Sequence, residues 1–117
     1  YDNSSQALAR TLTVDTTLHG KTLHAGDKVL LLIGAANRDE RVFPDPDRYD
    51  LLRDHTESLS FGKGTHFCLG AALARLEGRA ALDAVLGRLP DFELDPTRLV
   101  RVHNPNVRGY ASMPITF

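Results

Sequence analysis

Cysteine is almost missing from this chain: Cys68 stands alone among 117 residues. One thiol excludes an intrachain disulfide framework, and it excludes a zinc or iron–sulfur site assembled from several thiolates of this chain. The same scarcity leaves a reducing compartment as the expectation, hence a cytoplasmic location. Lysine is scarce as well, with only Lys21, Lys28 and Lys63; the other basic side chains are arginines, whose planar forked donors suit carboxylates. No apolar run approaches the ~20 residues needed to span a bilayer, so no membrane partner is expected. Tyr1-Asp2-Asn3-Ser4-Ser5 lacks the basic and apolar regions of a secretion signal. Charge of one sign is lacking too: Lys+Arg 14 against Asp+Glu 15 gives a formal net charge of -1, which argues against bulk attraction to nucleic acid or anionic lipid. The first residue is not methionine, which suggests a fragment or a processed product.

What is present has an ordinary globular composition, 42% hydrophobic and 25% charged, at a length that suits one domain with its own core. Ala9 to Val14 and Thr17-Leu18-His19-Gly20 alternate β-branched and leucine positions before a glycine turn. Lys21-Thr22-Leu23 and Lys28 to Ile33 follow as two more strand-like runs around the turn signal His24-Ala25-Gly26-Asp27. Residues 37–54 are polar and broken by Pro44 and Pro46, so they predict a long loop, a feature that in compact domains usually serves function. From Leu69 to Leu89, leucine and alanine recur at helical spacing on a wide apolar stripe, which predicts a long and largely buried helix. Short strands are expected at Phe92-Glu93-Leu94, Leu99 to Val102 and Ala111 to Phe117. The fold class is therefore α+β, with one long helix, short antiparallel strands and much loop.

The informative stretch is the glycine-rich loop Phe61 to Gly70, which runs straight into the helix. A dinucleotide fingerprint fails because Phe67 stands where its third glycine belongs. A phosphate-cradling loop fails because Gly62-Lys63 is followed by Gly64 rather than Ser or Thr. At the mouth of a helix, unpaired N–H groups and the helix dipole favour a thiolate at Cys68. Such a sulfur could attack a substrate, given a base within reach, and His66 two residues away sets no particular geometry for that. It could also be a small buried cysteine at a helix start, although that leaves Gly62, Gly64 and Gly70 without a purpose. Haem ligation accounts for all of these together, since a flat macrocycle must approach the backbone closely and glycine gives clearance. A thiolate on iron also favours cleavage of the O–O bond.

The pattern Phe61-Gly62-x-Gly64-x-His66-x-Cys68-Leu69-Gly70, followed by Ala74-Arg75-x-Glu77, resembles the cysteine loop of a bacterial cytochrome P450. Ala36-Asn37-Arg38-Asp39 with Phe43-Pro44-Asp45-Pro46-Asp47-Arg48-Tyr49-Asp50 resembles that family's meander, and Gly109 with Pro114 its closing hairpin. The resemblance implies a haem-dependent monooxygenase with haem b (iron protoporphyrin IX), and with Cys68 as the proximal iron ligand. Phe61, Gly62, Gly64, Gly70 and Ala74 would line the cofactor, and His66 and Arg10 would pair with its propionates. Arg48 matches the meander arginine that pairs with a Glu-x-x-Arg element on an earlier helix, and Tyr1-Asp2 resembles what comes just after that helix. On this reading residues 1–117 are the C-terminal part of the family's mainly α fold, without its N-terminal portion.

Gln6-Ala7-Leu8 and Asn106-Val107 resemble segments that contact a small organic substrate. Lys63 and Arg75 would lie on the face where a ferredoxin-type or reductase electron donor docks. Two other outcomes stay open for the chain: a truncated, non-catalytic interaction module, and an enzyme using Cys68 as nucleophile. Apolar surface left uncovered would favour self-association.

Overall fold

The computed structural model describes residues 3–117, which divide into two compact units. Residues 3–60 with Asn104–Arg108 form the first, and Phe61–His103 with Gly109–Phe117 form the second. In the first unit the strands β1 (Leu8–Thr11), β2 (Thr16–Leu18), β3 (Lys21–Leu23) and β4 (Lys28–Leu31) nest. The outer pair β1·β4 is antiparallel with Leu8 opposite Leu31 and Arg10 opposite Val29, and the inner pair β2·β3 sets Leu18 opposite Lys21. His19 and Gly20 join the inner pair with φ of 49° and 76°, the left-handed pair that a two-residue hairpin turn demands.

The turn at residues 24–27 is closed by the Asp27 amide donating to the His24 carbonyl at 3.0 Å, with Gly26 left-handed at φ 92°. Asp15 braces it: the Ala25 amide donates to Oδ1 at 2.8 Å, and His24 Nδ1 lies 3.3 Å from Oδ2. These bonds, the Ala25 amide first, hold the Asp15 carboxyl below its ordinary range.

In the first unit two strands end before the sequence expectation, and in the second the strand expected over Ala111 to Phe117 is two strands, Tyr110–Ser112 and Ile115–Thr116, parted at Met113-Pro114, where proline cannot donate to a ladder. The strand predicted over Ala9 to Val14 stops at Thr11, because Leu12 exchanges backbone bonds with the turn, donating to Asp27 at 2.9 Å and accepting from Gly26 at 2.8 Å. The strand predicted to reach Ile33 stops at Leu31, and Ile33 opens a single helical turn, α1 (Ile33–Ala36). Gly34-Ala35-Ala36 carries no β-branched side chain to favour extension, and the turn buries Ile33 to 8% exposure.

Residues 37–63 hold neither helix nor strand, as the prolines required. The order of this meander comes from side chains bonding to backbone. Leu59 donates its amide to Asn37 Oδ1 at 2.8 Å, and Asn37 Nδ2 donates to Ser60 Oγ at 3.0 Å. Arg53 donates to the carbonyls of Pro44, Asp45 and Arg48, the last two at 2.7 and 3.0 Å. Phe43 is buried at 7% exposure beneath this network.

In the second unit a 3-10 turn over Gly64–His66 precedes α2 (Ala71–Arg88). The strands β5 (Glu93–Leu94), β6 (Val100–Arg101), β7 (Tyr110–Ser112) and β8 (Ile115–Thr116) nest as in the first unit, β5 with β8 around β6 with β7. Asp95 caps the 3-10 turn Pro96–Arg98 by accepting from the Thr97 amide at 2.9 Å.

The helix expected over residues 69–89 is shorter at both ends, and the expectation that it is largely buried is overturned. Among its residues only Ala71 is buried, while Leu73, Leu76, Leu82 and Leu86 are 58–64% exposed. The physical reason is local supply. Apolar side chains ring much of the helix, and a helix apolar all round needs neighbours on several sides. The second unit has no other α-helix to lay against it.

Candidate functional site

Two glycines shape the cysteine loop. Gly62 and Gly64 adopt φ of 75° and 73°, a region that costs an L-residue about 1–2 kcal/mol. A Cβ on Gly62 would also meet the His66 carbonyl oxygen at 3.4 Å, whereas one on Gly64 would meet nothing within 4 Å. Backbone bonds close the loop: Phe67 donates to Gly64 at 3.0 Å, Cys68 donates to Phe61 at 2.8 Å, and Ala71 donates to Cys68 at 3.2 Å. With the amides so engaged, the side chains of His66 and Cys68 stand exposed, and the thiol is free.

Helix α2 is capped by Gly70, so Cys68 lies two residues before the cap rather than directly at the helix N-terminus as expected. The helix dipole, whose influence fades beyond that turn, therefore acts on this sulfur less directly than the sequence suggested. A Cβ on Gly70 would sit 4.0 Å from Cys68 Sγ, so glycine there keeps one flank of the sulfur open.

Phe61 packs where the loop begins, its ring 6.4 Å from that of Phe67 at a tilt of 54°. The Arg75 guanidinium lies 4.8 Å from the centroid of Phe61, a cation–π contact of about 0.5–1 kcal/mol at an exposed site. Arg75 thus joins the helix to the loop, a role the sequence reading did not assign it. Ala74 donates its amide to the Gly70 carbonyl at 2.9 Å and so belongs to the first bonded turn of α2. Lys63 is exposed in the same loop.

The remaining predicted residues lie in the first unit. Leu8 and Arg10, two apart on β1, point to the same face of their strand. Arg10 is exposed there, and its Nη1 donates to the Ala9 carbonyl at 2.9 Å. The segments 6–8 and 106–107, a hundred residues apart in sequence, are brought together. Ser5 and Val107 form an antiparallel bridge, Gln6 donates its amide to Asn106 at 2.8 Å, and Arg108 donates its amide to Ser4 at 2.8 Å. Asn104 prepares its side of this pairing, since its Oδ1 accepts from the amides of Asn106 and Val107 at 2.8 and 3.1 Å. Arg48 is exposed, and its amide donates to the Asp45 carbonyl at 3.1 Å.

A model of the cytochrome P450 family matches residues 1–115. The chain belongs to the cytochrome P450 family. A putative cytochrome P450 123 of Mycobacterium tuberculosis (strain H37Rv) is 54% identical over 117 residues, which is 99% of this chain and 29% of that protein. A steroid C26-monooxygenase of Mycolicibacterium smegmatis is 48% identical over 111 residues, 94% of this chain and 28% of that protein. The crystal structure of CYP109E1 from Bacillus megaterium in complex with testosterone superposes with a TM-score of 0.92 at 37% identity, over 98% of this chain and 32% of that one. The chain therefore spans about 30% of the length of these relatives.

The family implies a haem cofactor, and the loop's own chemistry fits one. An exposed soft sulfur with a glycine-cleared flank is a donor suited to iron. Among the described residues no cluster of three or more His, Cys, Asp and Glu could hold a metal ion. No helix of the described residues is long and apolar enough to cross a membrane.

Sequence reasoning missed Arg53, which shapes the meander together with Asn37 and Asp39. Arg53 had a legible cue: Pro44 and Pro46 cannot donate to neighbouring carbonyls, so the segment they interrupt calls for a donor from elsewhere. Asp39 accepts from the Arg41 amide at 3.0 Å, from Nε at 2.8 Å and from Nη2 at 2.6 Å. The Arg41 guanidinium brings the Asp39 carboxyl down to about 2, below its ordinary 3.8.

Proposed function

We propose that this chain is the haem-binding C-terminal part of a cytochrome P450 monooxygenase that inserts one atom of O₂ into a small organic substrate. Haem b, when bound, supplies the oxygen-activating iron, to which electrons come from a ferredoxin-type or reductase donor. The chain's own residues do the holding and tuning. Cys68 provides the axial thiolate, which raises electron density on the metal. Gly62, Gly64 and Gly70 keep the backbone low around the sulfur, and Phe61 and Ala74 line that side. His66 and Arg10 pair with the propionates through charge-assisted hydrogen bonds. Ala7, Leu8 and Val107 contact the substrate, and Arg48, as the meander arginine, pairs with a Glu-x-x-Arg element on an earlier helix. Lys63 and Arg75 face the electron donor.

The observation that carries this reading is an exposed, free Cys68 in a left-handed glycine loop, within a chain that matches the family over residues 1–115. The leucines exposed on α2 favour self-association when this chain stands alone.

The test is Cys68→Ser in the haem-loaded protein. The carbonyl complex of the reduced wild-type protein should show the red-shifted absorption of a thiolate ligand, and the variant should lose it. A variant that kept the band would remove Cys68 from the iron. Rapid stoichiometric alkylation without any haem absorption would favour the thiol-nucleophile reading instead.

A further inference from the structure

Gly34 poses a local question. It lies inside α1 without a left-handed backbone, so no turn requires glycine there, and glycine in a helix is less stable than alanine. What requires it is the side chain of Gln6. A Cβ at Gly34 would fall 2.5 Å from Gln6 Oε1, 3.0 Å from Cδ and 3.3 Å from Nε2. The Gln6 amide group is held on its other side by Asn3, whose carbonyl accepts from Gln6 Nε2 and whose own Nδ2 donates to Ser5. Asn3 is a buried polar residue at 6% exposure, and the Gly34 amide donates to the Gln6 carbonyl at 3.1 Å. Gln6 therefore turns its side chain inward, away from the role of substrate contact that its segment suggested, while its backbone amide pairs with Asn106 at 2.8 Å.

We infer that Gln6, seated against Gly34 and Asn3, is a positioning residue that fixes how Ala7, Leu8 and Val107 are presented to substrate. The inference rests on the proposed monooxygenase reading for what those three residues contact, but the lock itself is a property of the first unit. The lock reaches its neighbours through the Gln6 backbone, whose carbonyl accepts from the Gly34 amide and whose amide donates to Asn106, so the paired segment 104–108 takes its register from it.

The experiment compares wild type, Gly34→Ala, Gln6→Ala and the double variant in the haem-loaded protein. Gly34→Ala displaces only the end of a flexible side chain, so the unfolding midpoint should move by no more than about 3 °C. Amide hydrogen exchange at Gln6, Val107 and Arg108 should nevertheless rise by about tenfold. The double variant should exchange like Gln6→Ala alone, because the methyl then has nothing to displace. Two iron-binding probes read the positioning: the dissociation constant of 4-phenylimidazole should change by about fivefold or more in Gly34→Ala, while that of imidazole, which lacks the phenyl group, stays within about twofold. Unchanged exchange, equal shifts for both probes, or additive effects in the double variant would overturn the inference. If neither probe binds the wild-type protein, the monooxygenase reading fails and with it the claim about presentation to substrate, whereas the exchange pattern still decides whether the lock exists.

Discussion

The meander and the cysteine loop are two irregular stretches held by opposite means. In the meander the side chains of Asn37, Asp39, Arg53 and Asp54 are committed to nearby backbone or to each other's neighbours. In the cysteine loop the closing bonds run from backbone to backbone, and two left-handed glycines supply the curvature. The difference teaches where chemistry can reside. A loop that uses its polar side chains for its own shape has few left to offer a ligand, while one shaped by glycine and amides leaves a thiol and an imidazole available.

The sharpest way to break this comparison is to remove the meander's clamp. Arg53→Ala leaves the Pro44 and Arg48 carbonyls without their donor and the Asp45 carbonyl with the Arg48 amide alone, and denaturant unfolding should show a loss of about 2 kcal/mol. Arg53→Lys should recover little, because a point-like ammonium does not reproduce the fixed fork of a guanidinium. If Arg53→Ala were neutral, the side-chain account of the meander would be wrong.

Next in size are the glycines of the cysteine loop. Gly64→Ala should cost about 1–2 kcal/mol through its left-handed backbone alone. Gly62→Ala should cost somewhat more, since its methyl also presses on the His66 carbonyl oxygen at 3.4 Å. Equal or reversed costs in the same unfolding assay would show that the loop does not have the closed form described.

The smallest effect is electrostatic and belongs to the meander. The folded carboxyl of Asp39 titrates near 2, below its ordinary 3.8, so the folded state holds the deprotonated form more firmly than the unfolded state does. Its contribution to stability is complete above pH 3.8 and fades as pH falls towards about 2. Because Asp39 and Arg41 are solvent-accessible, the effect is modest. A carboxyl titration followed by NMR should place Asp39 near 2 in the wild type and higher in Arg41→Ala, still below 3.8 because the residue-41 amide goes on donating to it; an Asp39 value that ignored Arg41 would discard this pair.

Much of the local structure was legible in the chain. The inner hairpin turn was announced by Gly20, the meander by Pro44 and Pro46, and the long helix by its leucine spacing, because each of these follows from backbone sterics or periodicity over a few residues. Family membership was legible too, since the spacing of Phe61, Gly62, Gly64, His66, Cys68 and Gly70 is so particular. Strand ends were less so: Leu12 leaves its strand to bond with the turn at 26–27, and Ile33 opens a helical turn. These depend on partners a dozen or more residues away, or on the burial of a single side chain.

The sequence by itself determined the cysteine, the glycines around it and the period of the helix that follows, all consequences of residue type at short range. Tertiary structure alone decided that Ser4 to Gln6 would pair with Asn106 to Arg108, that Gly34 would make room for Gln6, and that α2 would bury only Ala71. The physical reason is range: torsional preference and periodicity act between neighbours, whereas pairing, clearance and burial depend on which distant residues the folded chain brings into contact.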